Sequence, residues 1–462
     1  MLYIDDTIAA IATASGEAGI GIVRISGEKS LDIIDDIFIS KQEKKLSSYP
    51  ARRITYGYIK NPDKGQIIDE VLAHYTRGPY TYTKEDVVEI NCHGGTIPLK
   101  KILELIIKKG ARIAEPGEFT KRAFLNGRID LAQAEAVMDL ISAKTEKGFD
   151  VALDQLEGSL SQKVGVARQK LLNMLAHIQV SIDFSEEDID EVTLDYLLEE
   201  SLSLQKDIGF LLKTADTGKI LREGLSTVIV GKPNVGKSSL LNALLRESRA
   251  IVTEVPGTTR DVIEEHVNIK GIPLRIIDTA GIRETDDIVE RIGVERSKEF
   301  FNKADLVIFV IDISTDLTKE DIEIMELLKD KKALILVNKT DLPKRADLEK
   351  IKSYIKDKSL IKISLVKGEG LEELEDAIED LVYQGEIRAK DSLIVTNIRH
   401  KNSLERALQS IIEGIEAIEK KMPLDFVEVD IKNTWEALGE ISGDTVAEDI
   451  IDHIFSNFCL GK

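Results

Sequence analysis

A phosphate-binding turn is the clearest chemical signal in the sequence. Residues 231–238 read Gly-Lys-Pro-Asn-Val-Gly-Lys-Ser, which is the spacing G-x-x-x-x-G-K-S. The apolar residues 228–230 precede this turn, and a helix-like segment begins with Ser239. A strand, a glycine-rich turn and a helix start predict a P-loop, in which backbone N–H groups and Lys237 bind phosphates and Ser238 binds magnesium. The alternative is an ordinary glycine turn, which the complete pattern does not favour.

Two further motifs are expected to complete the phosphate and magnesium site. The sequence Gly-Thr-Thr-Arg-Asp stands at 257–261, and Asp-Thr-Ala-Gly at 278–281 ends a predicted strand. Thr259 would supply a second hydroxyl to magnesium, and Asp278 would hold the ion through water. The N–H group of Gly281 would meet the γ-phosphate.

Two later motifs are expected to read the base as guanine. In Asn-Lys-Thr-Asp at 338–341, the Asp341 carboxylate can accept hydrogen bonds from guanine N1–H and the exocyclic amine. Adenine has no amine there, so discrimination should be large. Ser-Leu-Val at 364–366 would place a backbone N–H on guanine O6, although most GTPases have Ala where Leu365 stands. The predicted GTP-binding residues are Asn234, Val235, Gly236, Lys237, Ser238, Ser239, Thr253, Glu254, Val255, Pro256, Gly257, Thr258, Thr259, Asp278, Thr279, Ala280, Gly281, Asn338, Lys339, Asp341, Ser364, Leu365 and Val366.

The means of hydrolysis is less evident from the motifs. Ras-like enzymes orient water with a Gln directly after D-x-x-G, but Ile282 stands at that position. Arg260 and Arg283 could serve as an arginine finger or equally be solvated charges. The Asn234 carboxamide could instead help hold a monovalent cation that offsets transition-state charge. The alternative is that Asn234 only shapes the loop.

Composition bounds the class of protein. A chain of 462 residues with 43% hydrophobic and 31% charged residues predicts two or three globular domains. No apolar run is long enough to span a membrane, and residues 1–6 lack the features of a signal peptide, so a cytoplasmic location is expected. Cys92 and Cys459 form no C-x-x-C pair. The net charge of −20 predicts no general attraction to nucleic acid, so any RNA partner would need a local basic patch or a second protein that supplies one.

Patterning predicts a multidomain α/β plus α+β fold. Strand patterns at 7–13, 21–26 and 87–91 and a helix pattern at 97–109 predict an α+β region over 1–119. Alternating strands and helices over 222–383 predict a doubly wound, mainly parallel sheet with the ligand at the strand C-termini. Its strand candidates are 227–230, 274–277, 306–311, 334–337 and 361–364. The flanking ranges 120–221 and 384–462 are helical by periodicity, so the GTPase domain is predicted to be inserted in a helical domain.

Sequence agreement outside the GTPase motifs points to one family. The stretches that carry it are 19–27, 115–120, 122–128, 130–136 and the Cys-Leu-Gly-Lys at 459–462. Together with the GTPase motifs they make the chain resemble the MnmE (TrmE) family over essentially its whole length. Because P-loops alone serve many functions, agreement at these other stretches makes the resemblance specific.

The resemblance implies a function and partners. The family is a potassium-stimulated GTPase that installs an aminomethyl or carboxymethylaminomethyl group on carbon 5 of the tRNA wobble uridine. It forms a homodimer through the N-terminal domain, here 1–119, and acts with an FAD-dependent partner of the MnmG (GidA) type as a heterotetramer or larger complex. A tetrahydrofolate derivative, 5-formyl- or methylene-tetrahydrofolate, supplies the one-carbon unit.

The resemblance also implies roles for individual residues, including Lys237 as a catalytic residue. Arg24, Glu89, Arg128 and Lys462 match folate contacts, although the family commonly has Lys where Arg128 stands. The potassium site matches Asn234, Thr253, Val255 and Thr258, and a switch residue that orients the hydrolytic water matches Glu290. Cys459 could act as a thiolate near the one-carbon unit. Leu460 replaces the usual Ile in the final motif.

Two other functions stay open at this stage. One is a ribosome-assembly GTPase that modifies nothing, for which a basic RNA-binding module is expected and the charge of −20 is unfavourable. The other is a nucleotide-dependent scaffold that moves a partner. At the C-terminus, Gly461 and Lys462 argue against prenylation of Cys459. The tail is either disordered or docked through an apolar helix predicted at 450–458.

Overall fold

The structure is a computed structural model that describes residues 6–14, 16–183, 190–247, 265–277, 301, 304–355, 358–383 and 394–462. Close Cα approaches group the chain into two compact units. The first comprises the described residues of Met1–Met138, Leu156–Arg168 and Leu438–Lys462, and the second those of Asp139–Gln155 and Gln169–Ala437. Residues 120–138 and 438–462 thus group with the N-terminal residues, whereas the domain boundaries given above remain predictions.

The first unit contains a seven-stranded sheet in the order β3-β4-β5-β6-β2-β1-β7. All neighbours are antiparallel except β1 and β7, which are parallel. The strands are β1 Ile8–Ile11, β2 Ala18–Ser26, β3 Phe38–Ser40, β4 Thr55–Lys60, β5 Ile67–Thr76, β6 Val87–Gly94 and β7 Arg112–Ile113. The predicted strands correspond to β1, β2 and β6, but β6 continues through Cys92 to Gly94. The sequence analysis missed β3, β4, β5 and β7.

Helices cover one face of this sheet. These are α1 Ser30–Ile37 and α2 Thr96–Lys108. Further along the chain come α3 Glu118–Leu125, whose Phe119 packs with Ile8 and Ala10 of β1, and α4 Leu131–Ser142. The buried side chains of Ile34 in α1 and Ile106 in α2 pack into one core with Val23 and Ile90 of the sheet. This burial excludes apolar surface from water and fixes which face of each strand is covered. A smaller cluster joins Ala123 of α3 to the C-terminal part of the chain.

The remaining long helices follow the periodicity seen in the sequence. They are α5 Glu146–Leu156, α6 Ser159–Asp183, α7 Asp190–Glu223, α12 Ile398–Glu419, α13 Leu424–Ser442 and α14 Glu448–Ser456. In the second unit α7 packs against α12, and Leu204, Leu211, Leu404 and Ile411 are buried. Among the described residues no helix combines the length and apolarity that a membrane span requires.

The second unit contains the doubly wound sheet. Its strand order is β13-β12-β11-β8-β10-β9, and every neighbouring pair is parallel except β9 with β10. The strands are β8 Leu225–Val230, β9 Glu265–Ile269, β10 Ile272–Ile276, β11 Leu306–Asp312, β12 Ala333–Asn338 and β13 Ser359–Lys362. The five predicted strands are confirmed, with β13 displaced by two residues toward the N-terminus, and the edge strand β9 was not predicted.

Helices lie on both faces of this sheet. They are α8 Lys237–Glu247, α9 Lys319–Leu327, α10 Leu348–Ile355 and α11 Leu371–Tyr383. Leu240 of α8 and Ile378 of α11 belong to one core, whereas Met325 of α9 and Ile351 of α10 belong to another. Side chains of β11 alternate between the two cores, as they must in a sheet covered on both faces. The prediction of a doubly wound α/β domain is confirmed.

Candidate functional site

The carboxyl ends of four parallel strands define one edge of the second unit's sheet. The P-loop follows β8, Asp312 ends β11, Asn338 ends β12, and Ser364 lies two residues beyond β13. Because parallel strands place their carboxyl ends at the same edge, these loops come together although they are distant in sequence. The sheet thereby assembles the phosphate-binding and base-reading motifs.

Backbone geometry in the P-loop requires its glycines. Gly231 and Gly236 have φ angles of +147° and +108°, which L side chains rarely adopt. A Cβ atom at Gly231 would clash with the carbonyl oxygen of Val310, and one at Gly236 would clash with Nδ2 of Asn338. Asn234 is left-handed as well, with φ +64°. The turn therefore approaches neighbouring backbone more closely than other residues would permit.

Lys237 and Ser238 lie at the start of the helix, as the P-loop motif predicts. Lys237 begins α8, and its Nζ donates to the carbonyl oxygens of Gly231 and Lys232, both at 2.7 Å. Ser238 and Ser239 are exposed in the first turn of α8, whereas Val235 is buried beneath the loop. A helix N-terminus carrying an ammonium group and a hydroxyl fits a phosphate chain with magnesium, because hydroxyl oxygens are hard ligands.

Hydrogen bonds connect the base-reading motif to the phosphate-binding loop. The buried Asn338 donates from Nδ2 to the Val235 carbonyl oxygen at 2.8 Å. Lys339 donates from Nζ to the Asn234 carbonyl oxygen at 2.9 Å, and the same Nζ lies 2.6 Å from Oδ2 of Asp312. The largest influence on Asp312 is burial, which raises its pKa, but hydrogen bonds from Lys339 and Ser314 outweigh it and lower the pKa overall.

Asp341 is exposed and ready to accept hydrogen bonds. The Ser364 hydroxyl donates to its Oδ1 at 2.7 Å, and this bond lowers the pKa of Asp341 below its usual value of 3.8. Because its pKa is lowered, the group presents an ionised carboxylate at neutral pH. Ser364 itself is buried, and its N–H donates to Glu369 at 3.0 Å.

The loop at residues 364–366 accommodates Leu365 at the position where most GTPases have Ala. The backbone N–H of Leu365 lies 3.4 Å from Oδ1 of Asn338, and its side chain packs against the core beneath the P-loop. Val366 is exposed. The loop thus uses a backbone group at this position, and a larger side chain than Ala is accommodated by the core.

Part of the predicted nucleotide site lies outside the described residues. These positions are Thr253, Glu254, Val255, Pro256, Gly257, Thr258, Thr259, Asp278, Thr279, Ala280, Gly281 and Glu290. The second magnesium hydroxyl, three of the four potassium ligands and the water-orienting glutamate therefore remain predictions. Asn234 is the potassium residue that the structure describes.

A second candidate site is a pocket of about 630 Å³ in the first unit. Its lining residues are Arg24, His74, Thr76, Pro79, Tyr80, Thr81, Tyr82, Val87, Glu89 and Arg128. Arg24 on β2 and Glu89 on β6 are directly opposite each other, and Arg24 Nη2 lies 2.7 Å from Glu89 Oε1. The Arg128 guanidinium lies 4.6 Å from the centre of the Tyr82 ring. The structure thus places three of the four predicted folate residues around one pocket.

Sequence reasoning missed two residues of this pocket. His74 on β5 is opposite Glu89, with its Nε2 3.6 Å from Oε2. The Tyr82 ring is approached by both Arg24 and Arg128. Neither residue belongs to a motif. For His74 a signal was available in the alternating pattern of β5, which was itself not predicted, whereas Tyr82 lies between strands.

The C-terminal tail is docked in the first unit. The N–H groups of Gly117 and Phe119 donate to the carbonyl oxygens of Cys459 and Lys462 at 3.3 and 3.2 Å. Arg24 Nη1 donates to the Gly461 carbonyl oxygen at 3.4 Å, which connects the tail to the pocket. These contacts contradict the alternative of a disordered tail. Cys459 is exposed, and neither it nor the half-buried Lys462 is among the described residues that line the pocket.

Burial of the preceding helix explains why the tail docks. Phe455 and Phe458 are buried in a cluster with Ala123 and Ile451, as expected for an apolar helix at this position. Gly461 has φ +84°, and a Cβ atom there would clash with the Ile11 carbonyl oxygen. The tail is therefore packed against backbone rather than laid loosely on the surface.

Comparison with known proteins covers the whole chain. A family model described as the MnmE helical domain matches residues 131–459, and one described as the GTP-binding protein TrmE N-terminus matches residues 7–128. The chain is 71% identical over 461 residues to the tRNA modification GTPase MnmE of Alkaliphilus oremlandii (strain OhILAs), covering 100% of both chains. It is 60% identical over 461 residues to the protein of that name in Clostridioides difficile (strain 630), again covering 100% of both.

Proposed function

This chain belongs to the MnmE family of tRNA modification GTPases, and from that premise we propose which modification it serves and which residues carry it. It is a GTPase that acts in tRNA modification. The modification is the addition of an aminomethyl or carboxymethylaminomethyl group to carbon 5 of the wobble uridine. The chain performs it in the cytoplasm as a homodimer with an FAD-dependent partner of the MnmG (GidA) type, in a heterotetramer or larger complex.

The ionised carboxylate of Asp341, held by Ser364, is the observation that carries the proposed selection of guanine. Its carboxylate is exposed and ionised, and Ser364 fixes one oxygen at 2.7 Å. Guanine offers two adjacent N–H donors to such a group, whereas adenine offers none at the amine position. Because Lys339 and Asn338 bind the P-loop backbone, the base and the phosphates are read by connected loops.

Hydrolysis is proposed to use residues around the phosphates. Lys237 binds the phosphate chain, and Ser238 and Thr259 would hold magnesium. Asn234, with Thr253, Val255 and Thr258, would hold potassium, and Glu290 orients the attacking water through other groups. A bound monovalent cation would supply the positive charge that an arginine finger supplies in other GTPases. The fixed left-handed backbone of Asn234, whose carbonyl is held by Lys339, supports a fixed position for its ligand.

The pocket in the first unit is proposed to bind a tetrahydrofolate derivative. Its volume of about 630 Å³ lies within the range of small-molecule sites, which is roughly 300–1,000 Å³. Glu89 retains acceptor positions beyond its pair with Arg24 and can receive the N–H groups of a pterin. Arg128 beside Tyr82 provides a cation for a carboxylate next to an aromatic surface. The folate would supply the one-carbon unit, and the docked tail brings Cys459 and Lys462 to this unit.

The net charge of this chain favours tRNA binding mainly by the partner protein. The chain has a net charge of −20, which opposes general attraction to a polyanion. We therefore assign most phosphate contacts to the partner. The alternative of a ribosome-assembly GTPase finds no support in the relatives, which are named for tRNA modification over their full length.

Nucleoside mass spectrometry of tRNA tests the proposed function. In cells that lack this protein, the modified wobble uridine should disappear and return with a plasmid copy of the gene. A copy with Arg128→Gln should restore GTP hydrolysis but little modification, because only the folate pocket is altered. Normal modification in the deletion strain would show that the chain serves another reaction.

A further inference from the structure

A buried aspartate outside the nucleotide motifs contacts the P-loop. Lys232, the second residue of the loop, places its Nζ 2.6 Å from Oδ2 of Asp321 and 3.3 Å from the Thr318 hydroxyl. The Asp321 side chain is 1% exposed and that of Lys232 is 16% exposed. An ion pair so shielded from water is little screened by salt and holds its two residues at a defined separation.

Asp321 is itself fixed by the start of α9. Its Oδ2 accepts from the N–H and the hydroxyl of Thr318, both at 2.9 Å, and Thr318 caps the helix in return. Its Oδ1 is buried with no hydrogen-bond partner among the described residues. A capping box alone would need only the contacts to Thr318. The additional bond to Lys232 therefore ties the P-loop to a rigid helix end.

The tethered residue carries part of the phosphate-binding geometry. The carbonyl oxygens of Gly231 and Lys232 both accept from Lys237 Nζ. The second half of the loop is held separately, because Lys339 binds Asn234 and Asn338 binds Val235. Neither the Lys339 contact nor the Asn338 contact involves Lys232, so the first half of the loop depends on another anchor.

We propose that Asp321, acting through Lys232, is a positioning residue for the phosphate-binding loop. It sets the backbone of residues 231–232 and thereby the place of Lys237, without touching the nucleotide. The β-phosphate is common to GTP and GDP, so loss of the tether weakens both nucleotides to a similar degree. Preference for guanine is unchanged, because Asp341 is held by different contacts.

The test is a double-mutant cycle on GDP affinity in the full-length protein. Lys232→Met and Asp321→Asn should each raise the Kd for GDP by about tenfold, which corresponds to about 1.4 kcal/mol. The double variant should be no weaker than either single variant, because both remove one tether. Lys232→Arg should restore most of the affinity. Lys270 and Asp376 form a control ion pair at the surface of the same unit. Lys270→Met and Asp376→Asn should each leave the Kd for GDP unchanged.

Thermal unfolding of the same variants separates positioning from stability. Either single variant leaves one buried charge unpaired, and the double variant removes both charges and should recover stability. If GDP affinity recovers together with stability, the pair has only a structural role and the proposal is overturned. If Lys232→Met weakens binding while Asp321→Asn does not, Lys232 acts on the nucleotide directly and the proposal also fails. Low GDP affinity in a double variant whose stability has recovered supports the proposal. If Asp321→Asn does not fold, the comparison of GDP affinity between Lys232→Met and Lys232→Arg decides.

Discussion

The Ser364 hydroxyl donates to Oδ1 of Asp341 at 2.7 Å, which joins the two base-reading loops through their side chains. The bond both orients the carboxylate and lowers its pKa, so the acceptor needed for guanine is ionised before the nucleotide arrives. Ser364 thus contributes its side chain to the position of Asp341, while the neighbouring Leu365 N–H donates to Oδ1 of Asn338.

Asp341→Asn should change the nucleotide preference from GTP to xanthosine triphosphate. Asn can donate to the carbonyl of xanthine where Asp accepts from the amine of guanine, so we expect GTP affinity to fall by about a hundredfold. Competition binding with both nucleotides measures the change. Ser364→Ala, which removes only the orienting bond, should reduce GTP affinity less and gain no xanthosine triphosphate binding. Undiminished GTP preference in Asp341→Asn would mean that another residue reads the base.

Potassium should accelerate hydrolysis relative to sodium at equal ionic strength. Asn234→Ala should abolish this difference and lower kcat in potassium by about a hundredfold, since transition-state charge would lose its counter-ion. The matched control is Asn242→Ala, an exposed asparagine on α8. Steady-state rates in the two salts decide, and equal rates for the unaltered protein would remove the proposed potassium site.

Gly461→Ala should impair modification without impairing GTP hydrolysis. The added Cβ would clash with the Ile11 carbonyl oxygen and displace the tail from Arg24, whereas Leu460→Ala alters a side chain that is 61% exposed. We expect folate affinity, measured by calorimetry, to fall by about tenfold in Gly461→Ala only. Deletion of residues 459–462 should have the larger effect, and Cys459→Ser tests whether the thiol takes part. Unchanged folate affinity in the deletion would show that the tail is dispensable.

A buried charge cluster should make the first unit sensitive to acid. Arg122 is 1% exposed and lies 3.0 Å from Glu118 and 2.5 Å from Asp6. Burial is the largest influence on both carboxyl groups and raises their pKa, but hydrogen bonds from Arg112 and Arg122 outweigh it and lower the pKa overall. Stability from a lowered pKa is present above the ordinary values of 4.5 and 3.8 and is lost as pH falls through the folded-state values.

Arg122→Met should therefore destabilise the first unit by about 3–5 kcal/mol at neutral pH and flatten its decline below pH 4.5. Amide hydrogen exchange in β1 and α3 at pH 7 and at acid pH measures both effects. Arg77→Met is the control, because Arg77 pairs with Asp86 at an exposed site and should cost less than about 1 kcal/mol. An acid profile identical to that of the unaltered protein would show that the cluster contributes no pH dependence.

The sequence predicts best what is local. The structure has the predicted glycine turn at Gly236 and the predicted helix start at Lys237, because contiguous residues specify both. Leu365 departs from the usual Ala on sequence alone, whereas in the structure its backbone N–H donates to Oδ1 of Asn338, and the predicted contact with guanine O6 stays a prediction. Contacts between residues that are far apart in the chain could not be predicted in this way. His74 reaches the pocket through strand pairing and Tyr82 from the segment between β5 and β6, and the Lys232 contact with Asp321 joins residues from a loop and a distant helix.

The contact between Arg24 and Gly461 spans 437 positions of the chain, which orders events during biosynthesis. The nascent chain emerges from its N-terminus, so residues 459–462 leave the ribosome long after the nucleotide-binding segment can fold. A product truncated before Cys459 would therefore retain a P-loop unit and lack the backbone partners of Gly117 and Phe119. Synthesis beyond Gly461 is thus a precondition for the contact with Arg24, which lines the pocket, and folding of the P-loop unit alone does not report that the tail has docked.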